Sequence, residues 1–170
     1  MASLSEAIVL ATVAGGAGTG AAIDLWTRRV PNPLTLLLAS SGVVFAACGI
    51  SGLSVGASLA GFLLGLALML PGHLFGATGA GDVKLFAALG ALIGPAPIAT
   101  AFVYTALAGG VLAIVIAIRR RRLQRTIGGA ARLIVTIAAN VPAIESPIEH
   151  NRFAYAPAIA VGATLAALGL

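Results

Sequence analysis

The chain has five carboxylates in 170 residues: Glu6, Asp24, Asp82, Glu145 and Glu149. Two of them lie in or against long apolar runs on the side that the basic residues mark. Asp24 lies near the end of the first run, and Asp82 opens the fourth. An ionisable group at membrane depth is costly, so such residues are functional candidates by default. Two carboxylates sharing one site do not both ionise readily, and one keeps its proton. The split supplies a general base for water and a general acid for an oxygen or a leaving amine, which is aspartic-protease chemistry in outline. Each residue also has a purely structural use. Asp82 can cap the fourth helix, and Asp24 can pair with Arg28 one turn on. Gly79 and Gly81 beside Asp82 form a stretch without side chains. It either lets a substrate backbone approach closely or is an ordinary flexible loop.

The elements that must position these residues are membrane helices. Apolar residues make up 59% of the chain and charged residues 9%, and mean hydropathy is +1.07. Soluble domains have about 25% charged residues, so a water-soluble globule is excluded, and so is a disordered chain. The apolar runs are continuous rather than alternating, which excludes a transmembrane β-barrel. The expected fold is an all-α polytopic bundle in one domain, 1–170, with spans over 7–26, 33–50, 53–70, 82–94, 98–118 and 153–170. Asn32 is placed to cap the second helix, with Pro33 at its first position. The fourth run is short for a crossing, so its polar start must reach into the membrane zone. Glycine numbers 22, and Gly61 and Gly65 fit close helix packing.

Charge sets the orientation. Between spans five and six, Ile127, Ala131, Ile134, Ile137 and Val141 recur at helical spacing, with Arg125 and Arg132 on the other side. This predicts an amphipathic helix over 124–141 lying on the membrane surface. A seventh crossing would put Arg132 mid-membrane at a cost of at least ~2.5 kcal/mol. With six spans, Arg28, Arg29, Lys84, Arg119 to Arg122, Arg125, Arg132 and Arg152 share one side, which the positive-inside rule makes cytoplasmic. Both termini then lie on the other side. The net charge of +5 is thus a matter of topology and contact with anionic lipid, and no nucleic-acid partner is expected. Cys48 is the single cysteine, so there is no disulfide within the chain and no metal-binding Cys/His cluster. The N-terminus has no basic n-region, so the first run reads as a retained span.

The motifs give these aspartates a context. IDLWTRRVPNPLT, with Asp24, Arg28, Arg29, Pro31 and Asn32, resembles the first signature of the type IV prepilin leader peptidases. GATGAGDVKL, with Gly79, Gly81, Asp82 and Lys84, resembles their GxGD signature, shared more distantly with presenilin-type intramembrane aspartic proteases. FAYAPAIAVGA is similar to the family's closing segment, with Ala156 where Gly is common. The resemblance implies that Asp24 and Asp82 are the catalytic pair, with Gly79, Gly81, Lys84, Arg28 and Asn32 in support. It also implies that substrates are prepilin and pseudopilin precursors, cut after a Gly that ends a short basic leader, at the bacterial inner membrane, without cofactor or metal. The chain begins with a span and has no CxxC pair. It therefore resembles the short form found in tight-adherence (Flp) pilus systems, which implies peptidase activity without N-methylation.

Two other function classes use the same residues. A small proton-coupled transporter or channel could relay protons through the two aspartates, although no further acid continues the path to the other face. A scaffold subunit would need neither aspartate. His73, in the loop beside the GxGD motif, has no metal partners nearby in sequence and reads as structural or solvated. Lys84, one turn into a helix, can also simply snorkel. Nothing in the residues specifies an oligomeric state.

Overall fold

The computed structural model describes residues 4–119 and 155–169. They form six helices and no strand: α1 (Leu4–Thr27), α2 (Asn32–Ala47), α3 (Val55–Leu74), α4 (Ala80–Ile93), α5 (Pro95–Arg119) and α6 (Ala156–Ala167). The chain divides into two units. One comprises 1–109 and 152–170 and holds every candidate site residue; the other, 110–151, is described only where α5 continues to Arg119. The expected surface helix over 124–141 and the arginines from 120 to 152 lie outside the described residues.

Three helices, α1, α3 and α5, are long and apolar enough to cross a membrane, while α2 and α6 are shorter apolar helices. The α4 helix differs in kind. Its 14 residues span only about 21 Å, less than a hydrocarbon core of about 30 Å. Eleven of the 14 are buried, because α4 packs against α1, α2, α3 and α6 at once. A helix apolar all round belongs inside a bundle, and Leu85, Phe86, Leu89 and Leu92 are fully buried there. Phe86 meets the ring of Phe102 on α5 edge-on, with centroids 6.2 Å apart.

Between apolar helices in lipid, close packing rather than water exclusion supplies the adhesion, and small residues permit it. A Cβ on Gly61 would overlap the Gly90 carbonyl, and one on Gly65 would lie 3.0 Å from the Phe86 carbonyl oxygen. The α3–α4 contact is therefore backbone against backbone, as expected of Gly61 and Gly65. The buried Ser58 hydroxyl donates to the Ala91 carbonyl at 2.8 Å across the same seam.

Helix boundaries depart from expectation for identifiable reasons. The α2 helix ends at Ala47 rather than residue 50, since Gly49 takes a φ of 72° and turns the chain. Ser54 accepts the Ala57 N–H and starts α3 at Val55. The same helix runs through Pro71 to Leu74, because the Pro71 carbonyl still accepts from the Phe75 N–H at 3.0 Å. The α4 helix starts at Ala80 with Gly79 as its N-cap, so Asp82 sits at its third position rather than opening it.

Candidate active site

The site is built where α1 ends and α2, α4 and α6 begin. Asp24 is on the last turn of α1 and is 5% exposed. Past Thr27 the chain must reverse sharply, and Arg28 does this in the left-handed region at φ 54°, donating its N–H to the Asp24 carbonyl at 2.8 Å. Helix ends of this kind usually carry Gly, because a side chain there is strained. The Thr27 hydroxyl lies within hydrogen-bond reach of the Ile23 and Arg29 carbonyls, which steadies the turn.

The turn delivers Val30 onto the first turn of α4. A Cβ on Gly81 would lie 3.0 Å from Val30 Cβ and 3.1 Å from Val30 N, and one on Gly79 would lie 3.1 Å from Asp82 Oδ2. The Cβ side of Gly81 is thus occupied by Val30, which seats the first motif on the second, and that of Gly79 by the Asp82 carboxylate of its own motif, while both glycines also line the cleft. The resulting cleft, about 390 Å³, is lined by all seven candidate residues: Asp24, Arg28, Asn32, Gly79, Gly81, Asp82 and Lys84.

The two carboxyl groups are held alike. Asp82, 5% exposed, accepts the Gly79 N–H through Oδ2 at 3.1 Å, so it does brace the N-terminus of α4. Asp24 accepts a backbone hydrogen bond from Ala156, the first residue of α6, whose N–H has no partner within its own helix. Each aspartate keeps one buried oxygen, Asp24 Oδ2 and Asp82 Oδ1, with no hydrogen-bond partner among the described residues. Buried polar atoms are normally paired, and Thr78 Oγ1 and Thr105 Oγ1 share this unpartnered state, but only the two aspartates combine it with a place in the cleft lining. The Asp24 charge also acts on Asp82, and Arg28 acts on Asp24.

Asn32 does not cap α2. Pro31 is the N-cap, without a side-chain bond, and Asn32 is already helical. Its Oδ1 is taken by Lys84 Nζ at 3.0 Å, a bond across 52 residues that ties the first motif to the second. Lys84 is therefore engaged rather than merely snorkelling. His73 Nδ1 lies 3.1 Å from the Thr78 carbonyl, holding the loop just before Gly79.

Two contributors were not singled out as site residues from the sequence, Ala156 and Tyr155. The ring of Tyr155 packs on Gly109, and the Asp82 charge reaches its phenol. The signal was the FAYAPA segment, in which Pro157 falls in the first turn of α6. Backbone donors such as the Ala156 N–H leave no trace in residue type.

Each carboxyl thus has one oxygen engaged by a backbone N–H and one buried oxygen without a partner among the described residues, a state in which it could accept or donate a proton. Residues 9–114 match the family model described as the type IV leader peptidase family. The match spans both aspartate motifs and ends before the closing segment. No curated protein matches the chain, and no solved structure matches it.

Proposed function

Since this chain belongs to the type IV leader peptidase family, we propose that it is an aspartic-type membrane endopeptidase with Asp24 and Asp82 as its catalytic pair. Its substrates are Flp-like prepilins and pseudopilins, cut at the cytoplasmic face of the bacterial inner membrane. The observation that carries this reading is the matched state of the two aspartates, each buried and each with one unpaired oxygen in a common cleft. In the reaction, the ionised aspartate takes a proton from water, whose oxygen attacks the scissile carbonyl. The protonated aspartate then gives its proton to the leaving nitrogen, and the C–N bond breaks to a carboxylic acid and an amine, leaving the two aspartates with their protonation states exchanged. Arg28, Arg29 and Lys84 rim the cleft, and basic residues gather on the cytoplasmic side of spans. A precursor with a polar leader and an apolar helix has its junction at that boundary.

Co-expression with a Flp-type prepilin tests the reading, with leader removal followed by gel shift. The parental protein shortens the pilin. Asp24→Asn and Asp82→Asn each abolish the shift while expression and membrane insertion persist, because Asn keeps the shape and removes the titrating group. Processing near the parental rate by either variant overturns the paired mechanism.

A further inference from the structure

Beside the aspartate cleft lies a second hollow of about 490 Å³, walled by Pro33, Leu36 and Ala39 of α2 and Phe62 of α3. That volume is within the ~300–1,000 Å³ range of ordinary binding pockets. The two hollows adjoin, because Asn32 and Lys84 line both. The character of the wall changes at that shared boundary. On one side are two aspartates and two arginines; on the other the wall is apolar. The hydroxyl of Thr35, also on the apolar side, is turned back onto the Asn32 carbonyl at 3.0 Å, and Lys84 is held by Asn32. The groove wall therefore offers an occupant apolar surface and no free side-chain hydroxyl.

We propose that this α2–α3 groove is the docking site for the apolar helix that follows the scissile bond of the substrate. The proposal rests on the peptidase reading above and adds where the substrate lies. The direction follows from the geometry. Pro33, Leu36 and Ala39 recur every three residues, so they form one stripe leading from the cleft along α2 for about 10 Å. A helix laid on such a stripe is read by apolar anchors at helical spacing. Leu36 is 71% exposed, so among the described residues nothing covers the stripe at that position. A peptide that is polar before the cut and apolar after it changes character where the wall does, at the Lys84–Asn32 bond. A lipid acyl chain would match the apolar half alone.

The test uses the full-length protein in bacterial membranes, with Asp82→Asn to retain the uncut precursor. A photo-crosslinking p-benzoylphenylalanine replaces Leu36 or Ala39, and separately Leu107, which is 62% exposed on α5 away from the groove. Positions 36 and 39 are expected to crosslink to the apolar segment of a Flp-type prepilin, and position 107 to lipid. Lipid adducts alone at all three positions overturn the proposal. In the otherwise parental protein, Ala39→Trp fills the groove. It should lower kcat/KM for the full precursor about ten-fold relative to a peptide ending just past the scissile bond, whereas Leu107→Trp leaves that ratio unchanged. A ratio that Ala39→Trp does not move also overturns it. If the parental protein cleaves neither substrate, the peptidase reading itself fails, an outcome separate from cleavage without groove crosslinks.

Discussion

Gly81 lies directly against Val30, so that a methyl group on the glycine would sit 3.0 Å from Val30 Cβ and 3.1 Å from its backbone nitrogen. Through this contact the reversal that ends α1 is seated on the first turn of α4. Asp24, six residues before Val30, and Asp82, one residue after Gly81, are thereby brought to one cleft.

Gly81→Ala therefore moves the aspartates apart rather than blocking a substrate. Val30 must yield by a few tenths of an ångström, and small misplacements of reacting groups cost up to about a hundred-fold in rate. We expect processing to fall about ten- to a hundred-fold while the protein still inserts, with Gly81→Val worse. Gly18→Ala on α1, where a Cβ meets nothing within 4 Å, should process normally. Initial cleavage rates of the three variants check this.

The Lys84–Asn32 bond makes a second, pairwise prediction. Lys84→Met and Asn32→Ala each break the same link, so their losses in kcat/KM should overlap rather than multiply. The double variant is expected to be no worse than the poorer single one, with a coupling of about 1 kcal/mol. Losses that multiply fully would mean the two side chains act separately.

Arg28 holds a left-handed conformation that suits glycine better. Arg28→Gly should therefore raise stability by about 0.5–1 kcal/mol, read as a Tm increase in detergent. Processing should fall at the same time, because the charge that acts on Asp24 is lost. A variant both destabilised and fully active would contradict each half.

Much of this was legible in the sequence for physical reasons. Long apolar runs have few folds open to them in lipid, and charged residues there are rare enough that Asp24 and Asp82 stand out. All seven candidate site residues line one cleft. What residue type could not convey was backbone. The Ala156 N–H that holds Asp24 would look the same in any residue but proline. Asn32 reads as a helix cap from its type and neighbours, yet its oxygen serves a lysine 52 positions away. Gly81 reads as open space because Val30, which packs on it, lies elsewhere in the chain. The third apolar run reads as ending at residue 70, yet its helix continues through Pro71 to Leu74.

Orientation gives a prediction that needs no activity. The exposed Cys48 lies just past α2, whose 16 residues separate it from Asn32 by about 24 Å. With the cleft facing the cytoplasm, an impermeant maleimide should label Cys48 only from the opposite side. In a Cys48→Ser background, Arg28→Cys and Lys84→Cys should label only from the cytoplasm. Labelling of all three from one side would break the proposed topology.

The last prediction concerns the aspartates as a unit. Water activation and protonation of the leaving nitrogen belong to one event on one bond, so removing either group removes the pathway. The Asp24→Asn/Asp82→Asn double variant should therefore be hardly slower than either single variant, since residues that act together are grossly non-additive. Independent contributors would instead multiply their losses. Glu6→Gln, in the first turn of α1 and outside the cleft, should process its pilin at the parental rate, which separates the loss of any carboxylate from the loss of these two. The measurement is single-turnover cleavage of a Flp-type prepilin by the parental protein and the four variants in the same membranes. If the double variant is slower than both single variants by the product of their separate losses, Asp24 and Asp82 do not share a scissile bond.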